Sequence, residues 1–387
     1  MKRLVLILLL FLFLPSLITP QTIWAANEEV TVEQVIAALK KEILKKPKNP
    51  ELRLKLGYVY LQSQNLKEGE EEIKKSLKIK PNYLAGRLLL ANLYLNTERV
   101  DDGINQYKKA VRQHPKEEDV AYQLSRIFRQ ANRFDEGIKF YQSLLKKYPR
   151  NAYAHYCLGL MFRDSKVYEK GIYHFKQAAK IRPYAAAHHD LGALYSEKGN
   201  REKTIAEYKR ALEIDPQYTH SFINLGSIYF DMRRYAEAEE LFKNSIKSAP
   251  TAAAYHNLGL VYRKTAKYEQ AIEAYEEALR LYPSYMKVYD ELSIIYRRLK
   301  KYDELVAVLK RSLELKPKDT TTQLEICLVY YDAKRYKEAI PELQKHLEMD
   351  PTDDETAKKL GISYWKIGEY FTSVKIHFER FFGYWYK

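Results

Sequence analysis

Nine prolines, Pro81, Pro115, Pro149, Pro183, Pro216, Pro250, Pro283, Pro317 and Pro351, follow one another at intervals of 33 or 34 residues. A period in this range is the mark of supersecondary units that stack on their neighbours, because a single helical hairpin cannot bury its apolar face alone. The stretch from Ala252 to Tyr282 shows the unit most clearly. Tyr255, Leu258, Gly259 and Tyr262 share one helical face, a break follows at Thr265-Ala266-Lys267, and Tyr268, Ala271, Tyr275 and Ala278 mark a second helix before Pro283. Spacings of three, four and seven are those of amphipathic helices. The spacing predicts that Gly259 and Ala271 are small because the two helices cross closely there. Tyr262 and Tyr275 should fill the space around the crossing, and Pro283 should end the second helix.

The same unit can be laid along the chain ten times, beginning at Pro50, Leu84, Glu118, Ala152, Ala185, Thr219, Ala252, Met286, Thr320 and Asp354. One small residue of the first helix recurs as Gly57, Ala91, Ser125, Gly159, Gly192, Gly226, Gly259, Ser293, Cys327 and Gly361. Three residues later comes an aromatic: Tyr60, Tyr94, Phe128, Phe162, Tyr195, Tyr229, Tyr262, Tyr296, Tyr330 and Tyr364. This pattern resembles the tetratricopeptide repeat family. The resemblance implies an all-α fold, a right-handed superhelical solenoid of about ten stacked helix-turn-helix hairpins over residues 50–387. Its implied function is the holding of peptide or protein segments in a concave groove lined by the first helices.

The pattern has departures. The small position of the second helix is glycine at Gly69, Gly103, Gly137 and Gly171, which weakens each helix by about 1 kcal/mol relative to alanine. Thr204 and Leu305 stand there in the fifth and eighth hairpins, which should therefore pack less tightly. Val30–Leu44 has helical apolar spacing, so residues 27–49 are expected to form an N-terminal capping helix. The last repeat degrades into an aromatic-rich end with Phe371, Phe378, Phe381, Phe382, Tyr384, Trp385 and Tyr386, either a cap on the stack or a docking surface.

Residues 1–26 differ from the rest. Lys2 and Arg3 precede an unbroken apolar run from Leu4 to Leu14, and Ala25-Ala26 precede the polar Asn27-Glu28-Glu29. This is the pattern of a secretory signal peptide, and export to a bacterial periplasm or cell envelope is the expectation. An uncleaved anchor facing the periplasm is the alternative, and only then would a membrane be a partner. Cys157 and Cys327, the two cysteines, fall five repeats apart on packing positions and are expected to remain free.

Little in the chain could carry chemistry. It has no phosphate-cradling glycine loop, no HExxH, no GxSxG and no dinucleotide motif, so neither an enzyme activity nor a cofactor is expected. His188, His189, His220 and His256 gather in the middle, but neighbouring repeats spread such positions along a groove rather than converging them on one metal. The family resemblance gives the groove further content. In the superhelix of the O-linked N-acetylglucosamine transferase, to which this chain is similar, an asparagine ladder on the concave surface holds a peptide by its backbone. The matching position, the sixth of each first helix, carries Asn224 and Asn257, with Asp190 and Gln123 as partial equivalents. Lys55, Leu89, Cys157, Glu291, Glu325 and Lys359 break the ladder elsewhere. Arg126, Arg163, Arg263, Arg297 and Arg298 suggest acidic or C-terminal stretches in the partner, through charge-assisted hydrogen bonds.

The formal net charge of +15 raises a polyanion, polysaccharide or nucleic acid, as an alternative partner. Lys and Arg are scattered through every repeat rather than gathered in a stripe, which argues against nucleic acid. The preferred reading is an exported, non-catalytic scaffold for assembling an envelope or secretion complex. An accessory subunit of a separately encoded transferase is a further alternative. The sequence sets neither the partner nor the oligomeric state.

Overall fold

The computed structural model describes residues 31–382. The signal-like segment 1–26 and the aromatic tail's Tyr384, Trp385 and Tyr386 lie outside the described residues. The fold is all-α, and each of the ten first helices begins at the residue where the repeat was laid down. Two compact units divide the chain at Asn200 and Arg201.

Unit 1 opens with α1 (Val32–Lys45), started by a capping box in which the Thr31 hydroxyl accepts from the Gln34 N–H and the Gln34 side chain accepts from the Thr31 N–H. Its apolar residues Leu39 and Ile43 pack on Leu52 and Leu56 of the first hairpin. Four hairpins follow: α2 (Pro50–Gln62) with α3 (Leu66–Ile79), α4 (Leu84–Asn96) with α5 (Val100–Gln113), α6 (Glu118–Gln130) with α7 (Phe134–Lys147), and α8 (Ala152–Asp164) with α9 (Tyr168–Ile181). Helix α10 (Ala185–Glu197) completes the unit.

Unit 2 begins with α11 (Arg201–Ile214). The pairs α12 (Thr219–Asp231) with α13 (Tyr235–Ser248), α14 (Ala252–Lys264) with α15 (Tyr268–Leu281) and α16 (Met286–Arg298) with α17 (Tyr302–Leu315) come next. Then come α18 (Thr320–Asp332) with α19 (Tyr336–Met349) and α20 (Asp354–Lys366) with α21 (Tyr370–Phe382). Each recurring proline stands two residues beyond the end of a second helix, at a place where its missing N–H and its preference for an extended predecessor both oppose continuation.

Side-chain size sets how closely paired helices approach. A Cβ built on Gly259 would lie 2.4 Å from Cε1 of Tyr275, and one on Gly159 would lie 2.5 Å from Cδ1 of Phe175. Both rings are fully buried, so the glycine of the first helix is the seat of the ring of the second. The same relation joins Gly226 to Phe242. In the two hairpins where serine fills the seat, the helices approach less closely. Ser125 faces a hairpin carrying the buried Tyr141, and α6 and α7 approach each other far less than α8 and α9 do. The eighth hairpin, with Ser293 and Leu305, is likewise looser than α14 with α15. Gly259→Ala is expected to lose about 1–2 kcal/mol of unfolding free energy, because overpacking of about 1–3 kcal/mol exceeds the helix-propensity gain of about 1 kcal/mol. Urea unfolding of the two proteins measures the difference, and a more stable variant would refute the ring-seat account.

The turn inside each hairpin has a feature that composition does not announce. Gln64, Glu98, Asn132, Lys166, Arg233, Ala266, Lys300 and Lys334 adopt positive φ between 54° and 64°, a place that Gly199 and Gly368 occupy in two other repeats. This left-handed residue lets the N–H of the residue after it, the third beyond the helix, reach back to the carbonyl of the recurring aromatic. Lys267 N–H donates to Tyr262 O at 2.8 Å and Asn65 N–H to Tyr60 O at 2.9 Å, which closes the helix in the Schellman manner. A side chain in that conformation is strained by about 1–2 kcal/mol, and glycine gives part of that back to unfolded-state entropy. Ala266→Gly should therefore stabilise unit 2 by about 0.5–1 kcal/mol, read as a higher urea midpoint at unchanged slope.

Candidate functional site on the first-helix face

Each first helix has 13 residues and starts in the same register, so its sixth and twelfth residues return at equivalent places on successive repeats. The twelfth residue of one first helix reaches the sixth of the next. Arg163 of α8 meets Asp190 of α10 at 2.6 Å, and Arg263 of α14 meets Glu291 of α16 at 2.6 Å. Arg297 of α16 meets Glu325 of α18 in the same way. The acids that interrupt the asparagine ladder are thus the counter-ions of the groove arginines.

The Arg163 junction is the most enclosed. Asp190 is 7% exposed and also accepts the Tyr156 hydroxyl at 2.7 Å. Arg163 reaches Asp164 at 3.0 Å, and Asp164 in turn holds Arg129. Burial pushes the Asp190 carboxyl above the ordinary carboxylate range, against the pull of Arg163 and the Tyr156 hydrogen bond. At the Arg263 junction the Tyr275 hydroxyl points to Glu291 at 3.4 Å. Burial, seconded by the Glu291 charge, raises the Tyr275 phenol.

Of the arginines expected to meet an acidic partner segment, Arg163, Arg263 and Arg297 are each ion-paired with an acid of the neighbouring repeat. Arg126 differs. It is exposed on α6 and has no ion-pair partner among the described residues. Gln123, one turn earlier, is half-buried. Arg298 is exposed and lies over the Tyr268 ring, 5.5 Å from its centroid.

The two asparagines are half-buried. The Asn224 amide donates to the Tyr208 hydroxyl at 3.3 Å, a long bond that leaves its carbonyl oxygen for another donor. Asn257 adjoins His256, whose pKa burial lowers while the Asn257 side chain opposes the shift. His256 sits between Tyr275 and Tyr285, and its Nδ1 is 3.4 Å from the Tyr285 hydroxyl. No group of three or more His, Cys, Asp or Glu suited to a metal occurs among the described residues.

Two features escaped sequence reasoning. The acids facing the arginines lie 27 or 28 residues downstream, a spacing that signals contact only once the register of both helices is known. The other is a pair of histidines, His155 of α8 and His174 of α9, whose Nδ1 atoms are 2.9 Å apart. His174 also stacks on Phe162, with 5.5 Å between centroids.

Paired antiparallel helices of constant length, a ring seated on a glycine and a first-helix face with one register throughout define a helical-hairpin repeat protein. Sequence models of the tetratricopeptide repeat match residues 218–284, residues 88–145, 122–186 and 256–320, and residues 50–83 and 185–218. The chain belongs to the tetratricopeptide repeat family. Among curated proteins, the human Protein O-mannosyl-transferase TMTC3 is 38% identical over 74 residues, 19% of this chain and 8% of that protein. Human Protein O-mannosyl-transferase TMTC1 is 34% identical over 64 residues, 16% of this chain and 7% of that protein. The match thus spans less than a tenth of these relatives' own length. Among solved structures, the C-terminal part of a TPR repeat-containing protein from Cytophaga hutchinsonii superposes with a TM-score of 0.51 at 16% identity. That superposition covers 62% of this chain and 99% of the other, a likeness of fold.

Proposed function

We propose that this tetratricopeptide repeat chain is a non-catalytic scaffold, exported to the bacterial cell envelope, that holds extended segments of partner proteins along its first-helix face. Repeats of this family serve as protein-interaction surfaces. The observation that carries the finer reading is the state of that face. Its arginine and acid pairs are closed on each other from repeat to repeat, while in unit 2 the Asn224 carbonyl and the Asn257 amide keep capacity for a guest, and in unit 1 the exposed Arg126 does. Such a face recognises mainly backbone, since an amide both donates and accepts. Charge selection rests on Arg126 rather than on a groove-long basic stripe.

Export is supported by Lys2 and Arg3 before the Leu4–Leu14 run and by Ala25-Ala26 before Asn27. Sequencing the mature N-terminus is the direct check. A chain starting at Asn27 is expected, and a chain retaining Leu4–Leu14 would make it an anchored protein instead. For binding, partners cross-linked to the native chain should be lost at least tenfold from an Asn224→Ala/Asn257→Ala/Arg126→Glu variant. Equal capture by both proteins would remove this face as the binding surface.

A further inference from the structure

The turns that join a second helix to the next first helix carry charge unevenly. In unit 1 they hold Lys46, Lys48, Lys80, Lys116, Arg150 and Arg182 against the single acid Glu117, whereas Asp215, Asp319, Asp350 and Asp353 stand in those of unit 2, beside Lys316 and Lys318. The basic excess is therefore not spread evenly along the chain, as the sequence suggested. It gathers in unit 1, in part on these turns.

There the turns before α6, α8 and α10 enclose a cleft of about 1010 Å³. Lys116, Lys147, Arg150 and Arg182 line it, with Glu118 as the one lining carboxylate. Glu118 is already taken, because Arg182 ion-pairs with it across two repeats. Lys116, Lys147 and Arg150 have no ion-pair partner among the described residues. Three cations converging on one concavity without counter-ions repel one another, and an anion seated there removes that cost. A smaller cleft of about 630 Å³ repeats the arrangement one end of the unit away. Lys46, Lys48 and Lys80 line it with Glu51, and Glu51 is held by Lys55 at 2.9 Å.

The walls limit the kind of anion. Tyr148 has Lys147 over its ring at 5.3 Å. Tyr153 packs against Tyr156 and Tyr184, and its hydroxyl lies 3.0 Å from that of Tyr184. Single-stranded nucleic acid is gripped by open aromatic faces on which bases stack, and these rings are already engaged. What the cleft offers is clustered positive charge against a short apolar wall, in a volume suited to a small ligand rather than a polymer duplex.

We propose that this cleft is an anion-binding site for a compact ligand bearing two or more phosphate or carboxylate groups, held by Lys116, Lys147 and Arg150. The cleft takes in the first residues of α6 and α8, but none of Gln123, Arg126, Asn224 or Asn257 lines it.

Calorimetric titration of the full chain with inorganic tripolyphosphate, and separately with trigalacturonate, distinguishes the phosphate from the carboxylate source. At least one probe should bind, and its affinity should fall about ten- to fortyfold between 50 and 200 mM salt, as expected for two or three released counter-ions. Lys116→Ala/Lys147→Ala/Arg150→Ala should weaken that binding at least tenfold. A charge-matched Lys209→Ala/Lys247→Ala/Lys264→Ala variant in unit 2 should stay within twofold. All six side chains are exposed, so both variants should keep the native unfolding midpoint. The proposal falls if neither probe binds, or if the two triple variants lose affinity equally. It falls too if a short single-stranded DNA binds the same three residues more tightly than either probe, which would make the site a nucleic-acid contact.

Discussion

Asp190→Ala should cost about 3 kcal/mol of unfolding free energy, among the largest single losses available on the first-helix face. Asp190 is buried and receives both Arg163, at 2.6 Å, and the Tyr156 hydroxyl, at 2.7 Å. Removing it leaves Arg163 desolvated with only Asp164 for company, and Asp164 is shared with Arg129. The tyrosine hydroxyl loses its acceptor as well. The cost is thus that of an orphaned charge and donor rather than the net worth of the pair, which can be small. Two further variants separate these quantities. Asp190→Asn retains an acceptor for Tyr156 and should lose about 1–2 kcal/mol. The double change Arg163→Met/Asp190→Leu, which removes both charges, should recover most of the stability lost by Asp190→Ala. Stacked repeats need not unfold in one step, so hydrogen exchange over α8 and α10 is the appropriate readout beside urea unfolding. Should Asp190→Ala match the native chain within about 0.5 kcal/mol, the junction would behave as a solvated surface pair.

The same junction shows what could and could not be taken from the sequence. The starts of the ten first helices, α2 through α20 in steps of two, were legible because two markers fix the phase of every repeat: a helix-ending proline and an aromatic three residues after a small one. Gly259 could be assigned to a close crossing for the same reason, since its partner Tyr275 lies within one hairpin. The role of Glu291 could not. Seen as a position in a ladder of amides it is an interruption, and only the stacking of one hairpin on the next places it against Arg263. Contacts between repeats depend on the rotation from unit to unit, which no local pattern encodes. The left-handed turn residues were hidden for a different reason. Gln64, Lys166 and Lys334 carry no glycine signal, because the helix-closing hydrogen bonds outweigh a strain of about 1–2 kcal/mol. The basic cleft was masked by composition itself: averaged over the whole chain, the lysines look evenly scattered.

Acidification should weaken unit 1 between pH 6.5 and about 4 through the His155 and His174 pair. The two Nδ1 atoms are 2.9 Å apart, so one ring donates and the other accepts, which requires the accepting ring to be neutral at that nitrogen. Burial lowers His174 to about 4, with the nearby His155 and Lys170 acting in the same direction. Burial also lowers His155, while its contact with the Pro149 carbonyl opposes the shift. The unfolded chain protonates these rings near 6.5. Within the window the unfolded state therefore binds more protons than the folded one, and stability falls as pH falls. The contribution is whole above pH 6.5, declines through the window and is exhausted below about 4. For His174 it amounts to no more than about 3 kcal/mol, and less in practice because the ring is half-buried. Carboxylates such as Glu136, held below the usual range by Lys108 and Arg133 despite burial, lose their contributions at lower pH. The two effects separate in a variant. His174→Phe keeps a ring against Phe162, where the native rings stack at 5.5 Å, and removes the titrating group. Its stability should change between pH 6.5 and 4.5 by less than half as much as that of the native chain. Proton NMR of the native protein reads the cause directly, because the His174 Cε1 proton should titrate far below 6.5. A midpoint near 6.5 for His174, with an unchanged slope in His174→Phe, would show that the pair is open to water and leave the acid sensitivity of unit 1 to its carboxylates.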